Sequence, residues 1–156
     1  MVDSDGLIKW APHNLLTYSE EFTQWTAQTG TTVTANQATA PNGETTADLV
    51  EGNGTSGILS VSSGVKAKNT KSIWLRAVTG TETVSLKDPA ETKATETCNL
   101  TEDWQLFSLT EIQVGNAGIW IDDIPASGIY LWGAHLYRSD LGGMVDNPDR
   151  GDSYVP

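Results

Sequence analysis

Cysteine is nearly absent. Only Cys98 stands among 156 residues, so no internal disulfide staples this chain and a packed core must hold it. One domain of 16.7 kDa can supply that core, because a chain of this size buries about 68–70% of its unfolded surface. A lone thiol in the Thr-rich segment Thr95–Leu100 reads as a small apolar residue; a nucleophile would want a nearby His and a depressed pKa. Basic residues are scarce too. Nine Lys and Arg face 20 Asp and Glu, leaving a net charge of −11. That balance argues against phosphate neutralisation on a nucleic acid and against an anionic membrane surface. No apolar run approaches the roughly 20 residues of a membrane span. The segment Met1–Gly6 lacks the basic and apolar regions of a signal peptide, which gives the expectation of folding in a bacterial cytoplasm without secretion.

Catalytic signatures are missing as well. There is no Gly-Lys-Ser/Thr phosphate loop and no Gly-x-Ser-x-Gly elbow. The two histidines, His13 and His135, belong to no metal-spaced cluster. Acids pair at Glu20-Glu21, Glu102-Asp103 and Asp122-Asp123, but neighbours on an extended strand point to opposite faces and cannot share a substrate. Asp3, Asp5, Asp122, Asp123, Asp146 and Asp149 are available to calcium, yet no EF-hand loop occurs and no metal ligand is assigned. The sequence reads as a non-enzyme without a cofactor.

What is present is β-pattern and tryptophan. Six Trp in so short a chain is the compositional outlier, enough to fill a core and also present flat surfaces. Short strands are predicted at 31–35, 46–50, 58–61, 71–77, 83–87, 95–100, 104–110, 118–123 and 129–137, separated by Gly, Pro and Asn turn signals such as Pro41-Asn42-Gly43. In Lys71–Ala77, alternation places Ile73, Leu75 and Ala77 on one face and Ser72, Trp74 and Arg76 on the other. A helical turn is expected within 15–26, with Ser19 as its N-cap and Phe22 and Trp25 on one side. The fold class is all-β: an antiparallel β-sandwich or jelly roll over 15–140. A short N-terminal arm (1–14) precedes it, and an irregular tail (141–156) follows, packed on the domain or a neighbour.

Two aromatic blocks bracket the chain. Asn14-Leu15-Leu16-Thr17-Tyr18-Ser19-Glu20-Glu21-Phe22, followed by Trp25, opens it; Ile129-Tyr130-Leu131-Trp132-Gly133-Ala134-His135-Leu136 and the terminal Ser153-Tyr154-Val155-Pro156 close it. Together they resemble the carbohydrate-binding-module-like β-sandwich domains of tailed-phage virion proteins. The resemblance implies a jelly-roll fold and a virion setting, and it supplies no catalytic residues.

Two groups of residues are candidates for contact. Leu7, Ile8 and Trp10 form an apolar arm suited to docking on a partner. Trp74 with Arg76, and Trp120 with Asp122, each share one face of a strand. If those strands are neighbours, the four make an aromatic and polar platform for a glycan or an interface.

The leading functional expectation is a capsid decoration (cement) protein on the outside of the phage head. It would bind the major capsid protein as a homo-oligomer, a trimer at a lattice symmetry point, and stabilise the lattice by mass action. A tail or fibre appendage that binds host-surface glycans is the alternative. A carbohydrate-binding module of a larger enzyme is the third.

Overall fold

Alternation along ten strands builds two sheets among the described residues. The computed structural model describes residues 14–16, 18–61, 68–89, 95–112 and 117–138. The expected docking residues Leu7, Ile8 and Trp10, and the tail 141–156, lie outside them. The strands are β1 (Thr26–Ala27), β2 (Thr32–Ala38), β3 (Ala47–Glu51), β4 (Ile58–Val61), β5 (Lys68–Ala77), β6 (Glu82–Lys87), β7 (Thr95–Leu100), β8 (Gln105–Ile112), β9 (Gly118–Asp122) and β10 (Ile129–Arg138). One sheet runs β1-β4-β9-β6-β7 and the other β2-β3-β10-β5-β8. Every pairing is antiparallel, so the chain is a jelly-roll β-sandwich as expected. The two-residue β1 escapes the sequence reading because it is too short to show a period.

The core lies between the sheets. Ile73, Leu75 and Ala77 of β5 are fully buried, the face that alternation assigned to them. They meet Ile119 and Ile121 of β9, Val84 and Leu86 of β6, and Cys98 of β7 in one cluster. Burial pushes the Cys98 thiol up to about 12, which leaves it protonated and unreactive at neutral pH. Lys71, in line with Ile73, also points inward. Its Nζ lies 2.6 Å from Asp88 Oδ2, and both side chains have no exposed surface.

The opening and closing blocks fasten to each other. Asn14 Nδ2 donates to the Ala134 carbonyl (3.2 Å), while Asn14 Oδ1 accepts from the Leu136 amide (3.1 Å). Leu15 N donates to Leu136 O, and Ala134 N to Ser19 O. The contact falls on a β-bulge between Trp132 and His135, where Gly133 takes φ +63°, a conformation glycine reaches without cost. The two blocks thus depend on one another: the first supplies the partners that the bulged backbone of the second would otherwise lack.

Ser19 is not a helix cap. Its side chain accepts from Asn14 Nδ2, and the helical turn is a single 3-10 turn at Phe22–Gln24 preceded by Glu21, which makes no side-chain cap bond. A buried carboxylate takes that role instead. Asp48 on β3 accepts from Phe22 N (3.1 Å) and Asn36 N (2.9 Å). Burial raises its pKa, and the two amides pull it back. Phe22 and Trp25 do share one side, with ring centres 4.9 Å apart.

Candidate functional site

The four strand residues singled out as a platform divide between the sheets. Trp74 and Arg76 are on β5, and Trp120 and Asp122 on β9. These strands belong to different sheets, so the joint platform is not formed and each pair occupies its own outer face. Alternation tells which way a side chain points; it carries no information about which strand lies alongside.

The outer face around Trp74 is partly covered by the protein itself. Ala38, Ala40 and Ala47 form a small cluster with Trp132, and Trp74, Trp104 and Tyr130 pack against it. Trp132 stands directly opposite Trp74 in the ladder and is only 8% exposed. Its indole N–H donates to Thr46 Oγ1 (3.1 Å), and that of Trp104 to the Thr39 carbonyl (3.0 Å). Arg76 is wedged in the same cluster. Its guanidinium carbon is 4.5 Å from the Tyr130 ring centre and 5.3 Å from that of Trp104, cation–π distances. Nη1 donates to Glu102 O, and buried Nε finds no acceptor among the described residues. The Trp104 and Tyr130 rings are thus engaged by Arg76, and the indole donors of Trp104 and Trp132 are paired. Trp74 and Arg76 act as a second, smaller core outside the sheet.

The face around Trp120 is arranged differently. A straight row of outward positions crosses four strands: Lys87 on β6 opposes Trp120 on β9, Trp120 opposes Leu59 on β4, and Leu59 opposes Thr26 on β1. Trp120 is half-buried. Lys87 Nζ stands 4.9 Å from its ring centre and 2.8 Å from Asp122 Oδ2. The Trp120 Nε1 donor and the Asp122 Oδ1 acceptor are both buried and have no partner among the described residues. Leaving such groups unpaired costs about 1–3 kcal/mol each, and a hydroxyl group can both accept from the first and donate to the second.

Asp123 joins this face, contrary to the expectation that adjacent acids diverge. Its φ of +61° takes it out of the extended conformation. Its Oδ2 accepts from Ser85 Oγ at 2.7 Å, and Ser85 opposes Asp122 in the ladder. Strand alternation no longer governs a residue that has left the strand. Sequence reasoning also missed Lys87 and Ser85. The signal was present in Thr83-Val84-Ser85-Leu86-Lys87, where inward Val84 and Leu86 send Ser85 and Lys87 outward.

His135 lies on β10, 6% exposed, with its ring 5.1 Å from that of Tyr137. Burial lowers its pKa to about 4, so it is neutral at physiological pH. Among the described residues no group of three or more His, Cys, Asp or Glu could hold a metal ion.

No protein-family model and no curated protein matches the sequence. Solved structures do. The CBM22-1–GH10 modules of Clostridium thermocellum xylanase 10B, complexed with xylohexaose, superpose with a TM-score of 0.61 at 18% identity over 81% of this chain. The CBM22-1 xylan-binding domain of Paenibacillus barcinonensis Xyn10C gives 0.55 at 17% identity, covering 83% of this chain and 96% of that one. The enzymatically active domain of tailspike protein 4 from bacteriophage CBA120 gives 0.55 at 15% identity over 79% of this chain. The chain spans 29% of the xylanase structure and 21% of the tailspike structure. At these identities the likeness is one of fold: a carbohydrate-binding-module-like jelly roll.

Proposed function

We propose that this protein is a non-catalytic glycan-binding module carried on a tail or fibre of a tailed-phage virion. The observation that carries the reading is the Trp120 face. A half-buried indole lies on an outer sheet surface, and its N–H and an oxygen of the Asp122 carboxylate are buried beneath it with no partner among the described residues. A sugar offers what these groups lack: a C–H face for the ring, and hydroxyls for Nε1 and Oδ1. Lys87 places its Nζ over this ring and on Asp122 in the free protein, at the end of a flexible stem. Swinging that stem outward exposes the ring while the charge stays in water. Solved sandwiches of the same fold include a xylan-binding domain and a phage tailspike domain, and the opening and closing blocks resemble virion domains, which supports the setting.

Capsid decoration, the first expectation from sequence, rests on Leu7, Ile8 and Trp10. Those residues lie outside the described part of the chain, and the Trp120 face does not call for a lattice partner. Copy number in purified particles separates the two locations. A ratio to the major capsid protein near one would restore the decoration role, and a ratio far below one fits an appendage.

The binding test is a glycan panel. Affinities in the millimolar to micromolar range, about 4–8 kcal/mol, are expected for a solvent-exposed sugar site. Trp120→Ala removes one stack and one hydrogen bond, together about 1–3 kcal/mol, and should weaken binding roughly 5- to 150-fold. Thr34→Ala, exposed on the other sheet, should change nothing. Binding that is insensitive to Trp120 would exclude this face.

A further inference from the structure

We infer that the same face has a second subsite beside Tyr18, and that it takes the acetamido group of an N-acetylated, uncharged sugar; this rests on the glycan reading of the Trp120 face. Tyr18 is 53% exposed, the largest exposed apolar side chain among the described residues together with Val61 at 49%. Its backbone is held at φ +60°, a region bulky residues seldom enter. The strain is retained because its carbonyl is pinned by Trp25 Nε1 (3.0 Å) and the Glu21 amide (3.3 Å). The ring is thereby turned toward solvent instead of the core.

Beside it lies an open depression of about 280 Å³. Tyr18, Trp25, Leu59 and Val61 give it apolar walls, Gln24 supplies an amide and Thr26 a hydroxyl, and Ser60 also lines it. That volume is just under the ~300 Å³ at which small-molecule pockets begin, so it suits one ring with its substituent and not a chain. Walls of mixed character match an acetamido group, whose methyl seeks apolar contact while its N–H and C=O each need a partner.

The depression continues the Trp120 face. Leu59 lines it and is also the direct cross-strand neighbour of Trp120, and Thr26 lines it at the end of the same row. Four strands at about 4.8 Å spacing make the row from Lys87 to Thr26 about 14 Å long, which suits an oligosaccharide lying across the strands. Charge argues for an uncharged one: a net charge of −11 repels anionic glycans.

The test compares the β-1,4-linked trimer of N-acetylglucosamine with cellotriose, which has the same linkage and length without acetamido groups. Calorimetric titration is run on the wild type, Tyr18→Gly, Val61→Asp and Trp120→Ala. Glycine accepts positive φ, so Tyr18→Gly removes the ring without endangering the fold. The wild type should prefer the acetylated trimer at least tenfold. Tyr18→Gly and Val61→Asp should erase that preference by weakening the acetylated trimer more than cellotriose, while Trp120→Ala weakens both sugars. Equal wild-type affinities with a silent Tyr18→Gly would overturn the subsite and leave the Trp120 site standing. Binding of neither trimer would overturn the acetamido assignment. Loss of both sugars in Tyr18→Gly, with Trp120→Ala silent, would overturn the underlying reading.

Discussion

Replacing Lys71 by Met takes from the buried Asp88 carboxylate the ammonium that lies against it. Lys71 reaches across the sandwich from β5 to the end of β6, with a 2.6 Å contact and no exposed surface on either side chain. Its Nζ also donates to Asn69 Oδ1 at 3.1 Å. Removing one partner from such a pair costs about 3–5 kcal/mol, because the remaining charge keeps its desolvation penalty and loses its compensation. For a domain of this size each kcal/mol lowers Tm by about 2–4 °C, so Lys71→Met or Asp88→Leu should melt about 6–20 °C early. The double variant Lys71→Met/Asp88→Leu removes both charges at similar volume. It should return to within about 1–2 kcal/mol of the wild type, the shortfall being Asn69, which loses a donor. Urea melts of the four proteins close a double-mutant cycle. A double variant as unstable as the sum of the two singles would refute the reasoning and mean that the two side chains are not coupled. The pair also bears on the site, since Asp88 directly follows Lys87 and anchors the end of β6 from which Lys87 projects.

Two further predictions concern stability. A Cβ on Gly57 would meet the Ile121 carbonyl at 1.8 Å, where β4 enters alongside β9; Gly57→Ala should cost about 1–3 kcal/mol or more, read from a urea melt, and an unchanged midpoint would show the strands free to part. His135 has a folded pKa of about 4 against 6.5 for the free side chain. The unfolded chain therefore binds the extra proton between those values, and stability should fall as pH drops from 6.5 to 4, by up to about 3 kcal/mol. A His135→Gln variant should lose that slope, and a slope that persists would assign it to other groups.

The strands were legible because apolar residues alternate along them, as in Ile73, Leu75 and Ala77. Their order was not. No local pattern says that β9 lies between β4 and β6, so Trp74 and Trp120 could be given a direction each but not a distance apart. Exceptions to the alternation were equally hidden. Lys71 occupies an inward position that its charge disguises, and Asp123 turns onto the outer face through a positive φ that nothing in Asp122-Asp123 announces. The opening block was recognisable as a motif, yet its role became visible only once Asn14 was seen gripping the bulge at Gly133 and Ala134. Tyr18, in the middle of that block, carries a ring that the core does not use.

The most direct measurement is a ¹H–¹⁵N spectrum of the tryptophan indole groups, recorded while a glycan from the panel is titrated in. The indole N–H groups of Trp25, Trp104 and Trp132 already donate to Tyr18 O, Thr39 O and Thr46 Oγ1, whereas that of Trp120 has no acceptor among the described residues. The Trp120 signal should move furthest on binding, with Trp104 and Trp132 unmoved. Shifts concentrated at Trp74, Trp104 and Trp132, with Trp120 silent, would place the ligand on the opposite sheet and contradict it.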